Sequence, residues 1–185
     1  ILLFIALFSV STSPIIAEFL KDVPAISISF WRMFIAALIL WTYSLFFKQG
    51  KVKSSSNLKS IFIAGILLGI HFALFFQSIK MTKIANATFL GTLAPLFTLL
   101  LESFLFKRKF NKFVIIGLLL SFCGAIIILS HNFDMSQKYT LGNFLAVLCS
   151  VCLAISFIIA EKVRQTENTI VYLSLIHISE PTRPL

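Results

Sequence analysis

The sequence predicts an all-α integral membrane protein of about six transmembrane helices, and three observations carry that expectation. The 185 residues are 58% hydrophobic and 12% charged, with a mean hydropathy of +0.98, whereas soluble domains are about 45–50% apolar and about 25% charged. The 21 Phe stand in long uncharged runs that one soluble core of this size could hardly hide. Those runs also have the ~20-residue length a helix needs to cross hydrocarbon, about twice that of a membrane-barrel strand. A soluble enzyme, a nucleic-acid-binding domain and a disordered tail are all disfavoured.

Six runs follow in order. Ile1 to Leu20 is uncharged until Glu18, near its end, and the tight Lys21 to Pro24 connection makes it an antiparallel neighbour of the next. Ala25 to Phe47 holds one charge, Arg32. Ser60 to Ile79 holds His71 at about its midpoint and a Gly65, Gly69 pair in GxxxG spacing. Ala85 to Phe106 carries hydroxyls and Pro95. Phe113 to Ser130 has a small-residue ridge of Gly117, Ser121 and Gly124. Leu141 to Ala160 contains Cys149 and Cys152 in CxxC spacing. The small-residue ridges permit close helix approach and need no functional explanation.

The connections set the orientation, because Lys and Arg accumulate on the cytoplasmic side. Segments after the even runs hold Lys48, Lys51, Lys53, Lys59, Lys107, Arg108, Lys109, Lys112, Lys162 and Arg164, ten in all against four after the odd runs, Lys21, Lys80, Lys83 and Lys138. The even connections are therefore expected to be cytoplasmic, with the amino terminus inside. The net charge of +9 then reports topology and requires no nucleic-acid partner.

Both ends look artificial. The chain opens at Ile1 inside an apolar run, without an initiator Met, a charged n-region or a cleavage site, so the start is expected to be missing. At the other end LSLIHISEPTR, Leu173 to Arg183, resembles the translation of a transposase-type sequencing adapter. Native sequence is expected to stop near Tyr172, leaving residues 173–185 outside fold reasoning.

An internal echo appears at a shift of 143 positions, where Ile15, Ile16, Ala17 and Glu18 fall on Ile158, Ile159, Ala160 and Glu161, with Ser13 on Ser156 and Leu2 on Leu145. The matches are few, but the copies lie five runs apart. An odd shift gives them opposite orientations, as in inverted-repeat transporters.

Four stretches carry a family resemblance: FWRMFIAALIL (Phe30 to Leu40), GIHFALFFQSIKMTKIANATFLGTLAPLFTLLL (Gly69 to Leu101), IGLLLSFCGAIIIL (Ile116 to Leu129) and GNFLAVLCSVCLAISFIIAEKV (Gly142 to Val163). With them the chain resembles the first half of an EamA-type carrier of the drug/metabolite transporter superfamily, over nearly all of Ile1 to Tyr172 and most strongly from Asn86 to Pro95. The resemblance implies a ten-helix carrier of two inverted five-helix repeats that moves small polar metabolites or drugs by alternating access. Residues 1–130 would be the first repeat and 141–172 the start of the second. The chain departs from the pattern after the fourth run, where Lys107, Arg108 and Lys109 stand in place of the common Gly-Glu-Arg-like end, so no role of that Glu carries over.

Polar groups within hydrocarbon are costly, about 2.5–3.5 kcal/mol for a central charge, and each is a candidate for function. Arg32 lies roughly 10 Å inside its span, at a point where the resemblance places an Arg, and a pair with Glu18 is plausible. It binds a substrate carboxylate or shapes the outer cavity, or else it is a structural ion pair or a snorkelling side chain. His71 could relay protons, although a neutral His hydrogen-bonded between helices explains it better, because no carboxylate shares its span. Gln77 and Ser78 sit close to the outer end.

Thr88, Thr92, Pro95 and Glu102 fall on one stripe of a helix, flanked by Asn86, Gly91 and Thr98. Pro95 removes a donor at mid-membrane and frees the Gly91 carbonyl for a substrate or a neighbouring hydroxyl. Thr88, Thr92 and Pro95 are expected to line the path with Arg32 and His71, unless the stripe is only tight packing. Glu102 could simply reach the cytoplasmic interface. The CxxC pair, inside an apolar helix, reads as small-residue packing.

The chain has no GxxxxGK[ST] or HExxH motif and no nucleophile set. A secondary transporter of the cell (inner) membrane is the expected function, not an enzyme, with no cofactor or metal, a small-molecule solute and membrane lipid as partners, and a homodimer left open. An integral membrane enzyme is the rival, but Glu18, His71 and Glu102 are spread across the bilayer. A non-transporting interaction protein is the third reading.

Overall fold

The computed structural model describes residues 2–20, 22–46, 55–130 and 134–164, so the tail expected to be adapter-derived lies outside the described residues. Among these, α1 (Leu2–Phe19), α2 (Ala25–Phe46), α3 (Ser55–Met81), α4 (Ile84–Gly91), α5 (Ala94–Phe106), α6 (Lys112–Leu129) and α7 (Thr140–Arg164) are α-helices, and Gln137–Tyr139 is a turn of 3₁₀ helix. Every expected run is helical, and the fourth is divided into α4 and α5. Four segments, Ala25–Tyr43, Asn57–Met81, Ile84–Phe106 and Gln137–Arg164, are long and apolar enough to cross a membrane. The helices α1 and α6 have 18 residues each, roughly 27 Å and so at the short end of a spanning length.

The centre is α3, along which α7 runs antiparallel. Lipid is as apolar as Leu, so helices in it are joined by close packing and interhelical hydrogen bonds, and this pair uses both. Going up α3, the Ala64 carbonyl accepts from Ser156 Oγ at 3.3 Å, His71 Nδ1 meets the Cys149 carbonyl at 2.9 Å, and Thr82 Oγ1 meets Asn143 Oδ1 at 2.6 Å. The α7 partners descend as the α3 partners rise, over roughly 27 Å of helix. Small residues fill the seam: Ala64, Ala146, Cys149, Ser150 and Ala154 are fully buried.

Backbones approach closely at Gly142. A Cβ there would lie 2.7 Å from the Met81 carbonyl carbon and 2.8 Å from its oxygen. A Cβ at Gly117 or Gly124 of α6 would meet nothing within 4 Å, and neither would one at Gly69, although Ser29 of α2 donates to the Gly69 carbonyl at 3.4 Å. The physical reason is position: α6 is peripheral and touches α4 through Phe89 and Phe122, whose rings meet edge to face at 6.2 Å, while its glycines face outward.

Division of the fourth span follows from Pro95, whose ring excludes the carbonyl four residues back. The chain answers with a tighter turn: Leu93 N–H bonds to Leu90 O at 3.3 Å and Thr92 N–H to Phe89 O at 3.1 Å. Pro95 therefore opens α5, within whose first two positions it falls and where a missing N–H costs least. Carbonyls loosened by the break find hydroxyls, since Thr92 Oγ1 donates to Phe89 O at 2.8 Å and Ser150 of α7 donates to Leu90 O.

Two apolar clusters close the ends of the bundle. Near the α1–α2 turn, Ala17, Ala25, Phe76, Ile79 and Ala87 pack together. At the opposite end, near Lys59 and Lys162, Ile61, Ala64 and Val163 do so.

Candidate functional site

Three helices present residues four apart to a common point. Residues at that spacing share a helix face, so Ser13 and Ala17 of α1, Ile28 and Arg32 of α2, and Phe72 and Phe76 of α3 converge near the α1–α2 turn. Between them is a cavity of about 250 Å³ lined by Thr12, Ser13, Ile16, Ala17, Ile28, Arg32 and Phe76. Pro14, buried beside it, interrupts the hydrogen bonding of α1 where the hydroxyls of Thr12 and Ser13 face inward.

Arg32 is half-buried and held from two sides. Its Nη1 donates to Ser13 Oγ, and its guanidinium carbon stands 4.5 Å from the Phe72 ring centroid and 6.0 Å from that of Phe76. A cation over an aromatic face gains from the ring quadrupole, most where water is scarce. Glu18, the expected partner, lies five residues beyond Ser13 on α1, roughly 7.5 Å further along the helix.

His71 is buried, 7% exposed, and its ring centroid lies 5.0 Å from that of Phe72. Its Nδ1 carries the proton, because the Cys149 carbonyl can only accept. It joins α3 to α7 and is not part of the cavity lining. Thr88 is half-buried, Thr92 and Pro95 are exposed, and all three also lie outside that lining. The structure thus brings Arg32 together with Phe72 and Phe76, and places Thr88, Thr92 and Pro95 at the α4–α5 break. Cys149 donates from Sγ to Ala146 O at 3.0 Å and Cys152 is free, as packing residues would be.

Two polar clusters escaped the sequence reading. At the α1–α2 turn end, buried Asn86 donates to Asn143 Oδ1 at 2.9 Å and to Thr82 Oγ1 at 3.2 Å, and also to the Asp134 carbonyl. Its Oδ1 accepts from Asp134 N–H at 2.9 Å. Asp134 pairs with Lys83 at 3.2 Å, and the Ser136 N–H, with Lys83, holds its carboxyl below the usual range. The α6–α7 connection is thereby tied to α3, α4 and α7. Spacing makes Asn86 a flank of the Thr88 stripe, and only the fold reveals its partners, since Asn143 is 57 positions away.

At the basic end, Arg108 reaches Glu161 at 2.8 Å and Glu102 at 3.2 Å. Glu161 foremost, and then Glu102, raise its pKa above the ordinary arginine value. Glu102 is 7% exposed and is enclosed by this clasp, whose other members, Arg108 and Glu161, are exposed. The reversal depends on Lys107 in the left-handed region, φ 51° and ψ 30°, after which Arg108 N–H returns to Glu102 O at 3.4 Å. Among the described residues no group of three or more His, Cys, Asp or Glu is placed to hold a metal ion.

Comparison with known proteins bears on this bundle directly. Residues 1–130 match the EamA-like transporter family. The chain is 25% identical over 147 residues to the uncharacterized transporter YxxF of Bacillus subtilis (strain 168), covering 77% of this chain and 47% of that protein. It is 22% identical over 165 residues to solute carrier family 35 member G1 of Mus musculus, covering 84% and 45%. It thus spans about half the length of these curated relatives. A crystal structure described only as that of a protein has the same fold, at a TM-score of 0.67 and 17% identity over 91% of this chain and 62% of that one. The chain belongs to the EamA-like transporter family and is a multi-pass protein of the inner membrane.

Proposed function

We propose that the protein is a secondary carrier that moves small polar metabolites or drugs across the cell membrane by alternating access, with the Arg32 cavity as part of its solute path. The observation that carries this reading is a half-buried guanidinium fixed by Ser13 and Phe72 at the wall of a cavity among apolar helices. A charge in that setting is costly and is kept where it serves a path. The excess of Lys and Arg at the opposite end supports an orientation in which the cavity opens toward the outer face. In this reading residues 1–130 form the first of two inverted repeats and α7 begins the second, which the echo between α1 and α7 supports.

The α4–α5 break serves as a second wall. Discontinuous helices with re-satisfied carbonyls are tolerated at membrane depth where they border protein or a cavity, and Thr88, Thr92 and Pro95 surround this one. His71 packs against Phe72 and so supports the ring that holds the guanidinium, without lining the cavity. The test is uptake of a mixed pool of labelled metabolites into vesicles containing the full-length protein. Arg32→Ala and Thr92→Val should each lower the flux of the transported solute at least tenfold. Unchanged flux in both would remove these residues from the path, and no flux of any solute would remove the carrier reading itself.

A further inference from the structure

We infer that the Arg32 cavity selects small monoanions with a compact apolar body, the charge seated on Arg32 and the body against Ile28 and Phe76. The inference rests on the carrier reading and names the class of solute. Among the described residues the cavity lining contains one charged group, the Arg32 guanidinium, and no carboxylate. Guanidinium has five N–H donors in a planar fork. One nitrogen is committed to Ser13 and the guanidinium carbon stands 4.5 Å from the Phe72 ring centroid, so the group is anchored from two sides and a two-oxygen anion meets its remaining donors without ordering a flexible side chain.

The rest of the wall fixes the other half of the ligand. Ile16, Ala17, Ile28 and Phe76 are apolar, while Thr12 and Ser13 add hydroxyls on the α1 side only. A hydrophilic dianion would leave its second charge against those apolar side chains without a partner, which is unfavourable. A cation would meet Arg32. At about 250 Å³ the cavity is small beside the roughly 300–1,000 Å³ of pockets for drug-sized ligands, which suits a body of about one ring or a short branched chain.

Ser13 is a positioning residue here: it directs the guanidinium and need not touch the solute. Phe72 acts in the same way, through its ring.

The direct test is calorimetric binding to the purified full-length protein, with phenylpropionate, phenethylammonium, phenylpropanamide, propionate and dodecanoate as probes. Phenylpropionate should bind at least tenfold tighter than the amide and the ammonium, and tighter than propionate. Arg32→Gln should weaken it at least tenfold and abolish the preference over the amide, with Arg32→Lys intermediate. Ser13→Ala, which leaves the charge in place, should weaken it a few fold and keeps the test alive if Arg32→Gln does not fold. Equal affinity for phenylpropionate and phenylpropanamide, or tighter binding of dodecanoate, a membrane-lipid-like chain too long for this cavity, would overturn the inference. Either result can occur while metabolite flux persists, so its failure is distinct from failure of the carrier reading.

Discussion

The guanidinium of Arg32 and the ring of Phe72 lie 4.5 Å apart, joining α2 to α3 through a cation and an aromatic face. Such a contact is worth about 0.5–1 kcal/mol when exposed and about 2 when desolvated. A double-mutant cycle with Arg32→Leu and Phe72→Leu, followed by Trp fluorescence during detergent unfolding, should give a coupling of about 1–2 kcal/mol. Additive effects would show that the two residues are neighbours without being partners.

The Gly142 contact leads to a contrast between two glycines. Gly142→Ala drives a methyl into the Met81 backbone, at 2.7 Å from its carbonyl carbon, and should destabilise the α3–α7 pair by about 1–3 kcal/mol. Gly69→Ala meets nothing within 4 Å and should be neutral or stabilising by up to about 1 kcal/mol, because Ala loses less conformational freedom in a helix. Thermal unfolding of the two variants in the same detergent measures both. A larger loss at Gly69 would contradict the packing described.

At the basic end, Lys107 holds a left-handed backbone (φ 51°) that a Cβ makes costly. Lys107→Gly should raise stability by about 0.5–1 kcal/mol, and Lys107→Val should lower it by at least as much. Hydrogen exchange at Arg108, whose amide bonds to Glu102 O, should slow in the first variant and quicken in the second.

The run lengths made the helical character of each segment legible, because length and uninterrupted apolarity are local properties, but not the division of the fourth run into α4 and α5. Arg32 was legible too, as the single charge within its run. Phe72 and Phe76 were not, since nothing in one chain separates two useful rings among 21 Phe. Asn86 drew notice only as a neighbour of Thr88, because its partners Asn143 and Asp134 are brought to it by packing. Spacing placed Thr88, Thr92, Pro95 and Glu102 on one face, but that projection assumes an unbroken helix. Pro95 ends that continuity, so Glu102 joins Arg108 and Glu161 while Thr92 serves its own turn.

The tie of the α6–α7 connection should show an acid dependence. Asp134 is held below its usual pKa by the Ser136 N–H and Lys83, so its contribution is present at neutral pH and is lost as pH falls through the lowered native value. Asp134→Asn should flatten that acid limb of the stability profile. Asn86→Leu, which strands Asn143 and the Asp134 backbone, should cost about 1–3 kcal/mol at every pH. Thermal melts between neutral and acid pH separate the two effects, and an acid limb unchanged in Asp134→Asn would assign it to another carboxylate.

The measurement that bears most directly on the Arg32 cavity is a comparison of charged thiol reagents. With Cys123, Cys149 and Cys152 replaced, Thr12→Cys puts one thiol in the cavity wall. In vesicles of defined orientation, the anionic sulfonatoethyl methanethiosulfonate should modify it faster than the cationic trimethylammonium reagent, from the outer side, and Arg32→Gln should erase the difference. Equal rates with Arg32 present, or no modification from the outer side, would contradict a solute path lined by Arg32.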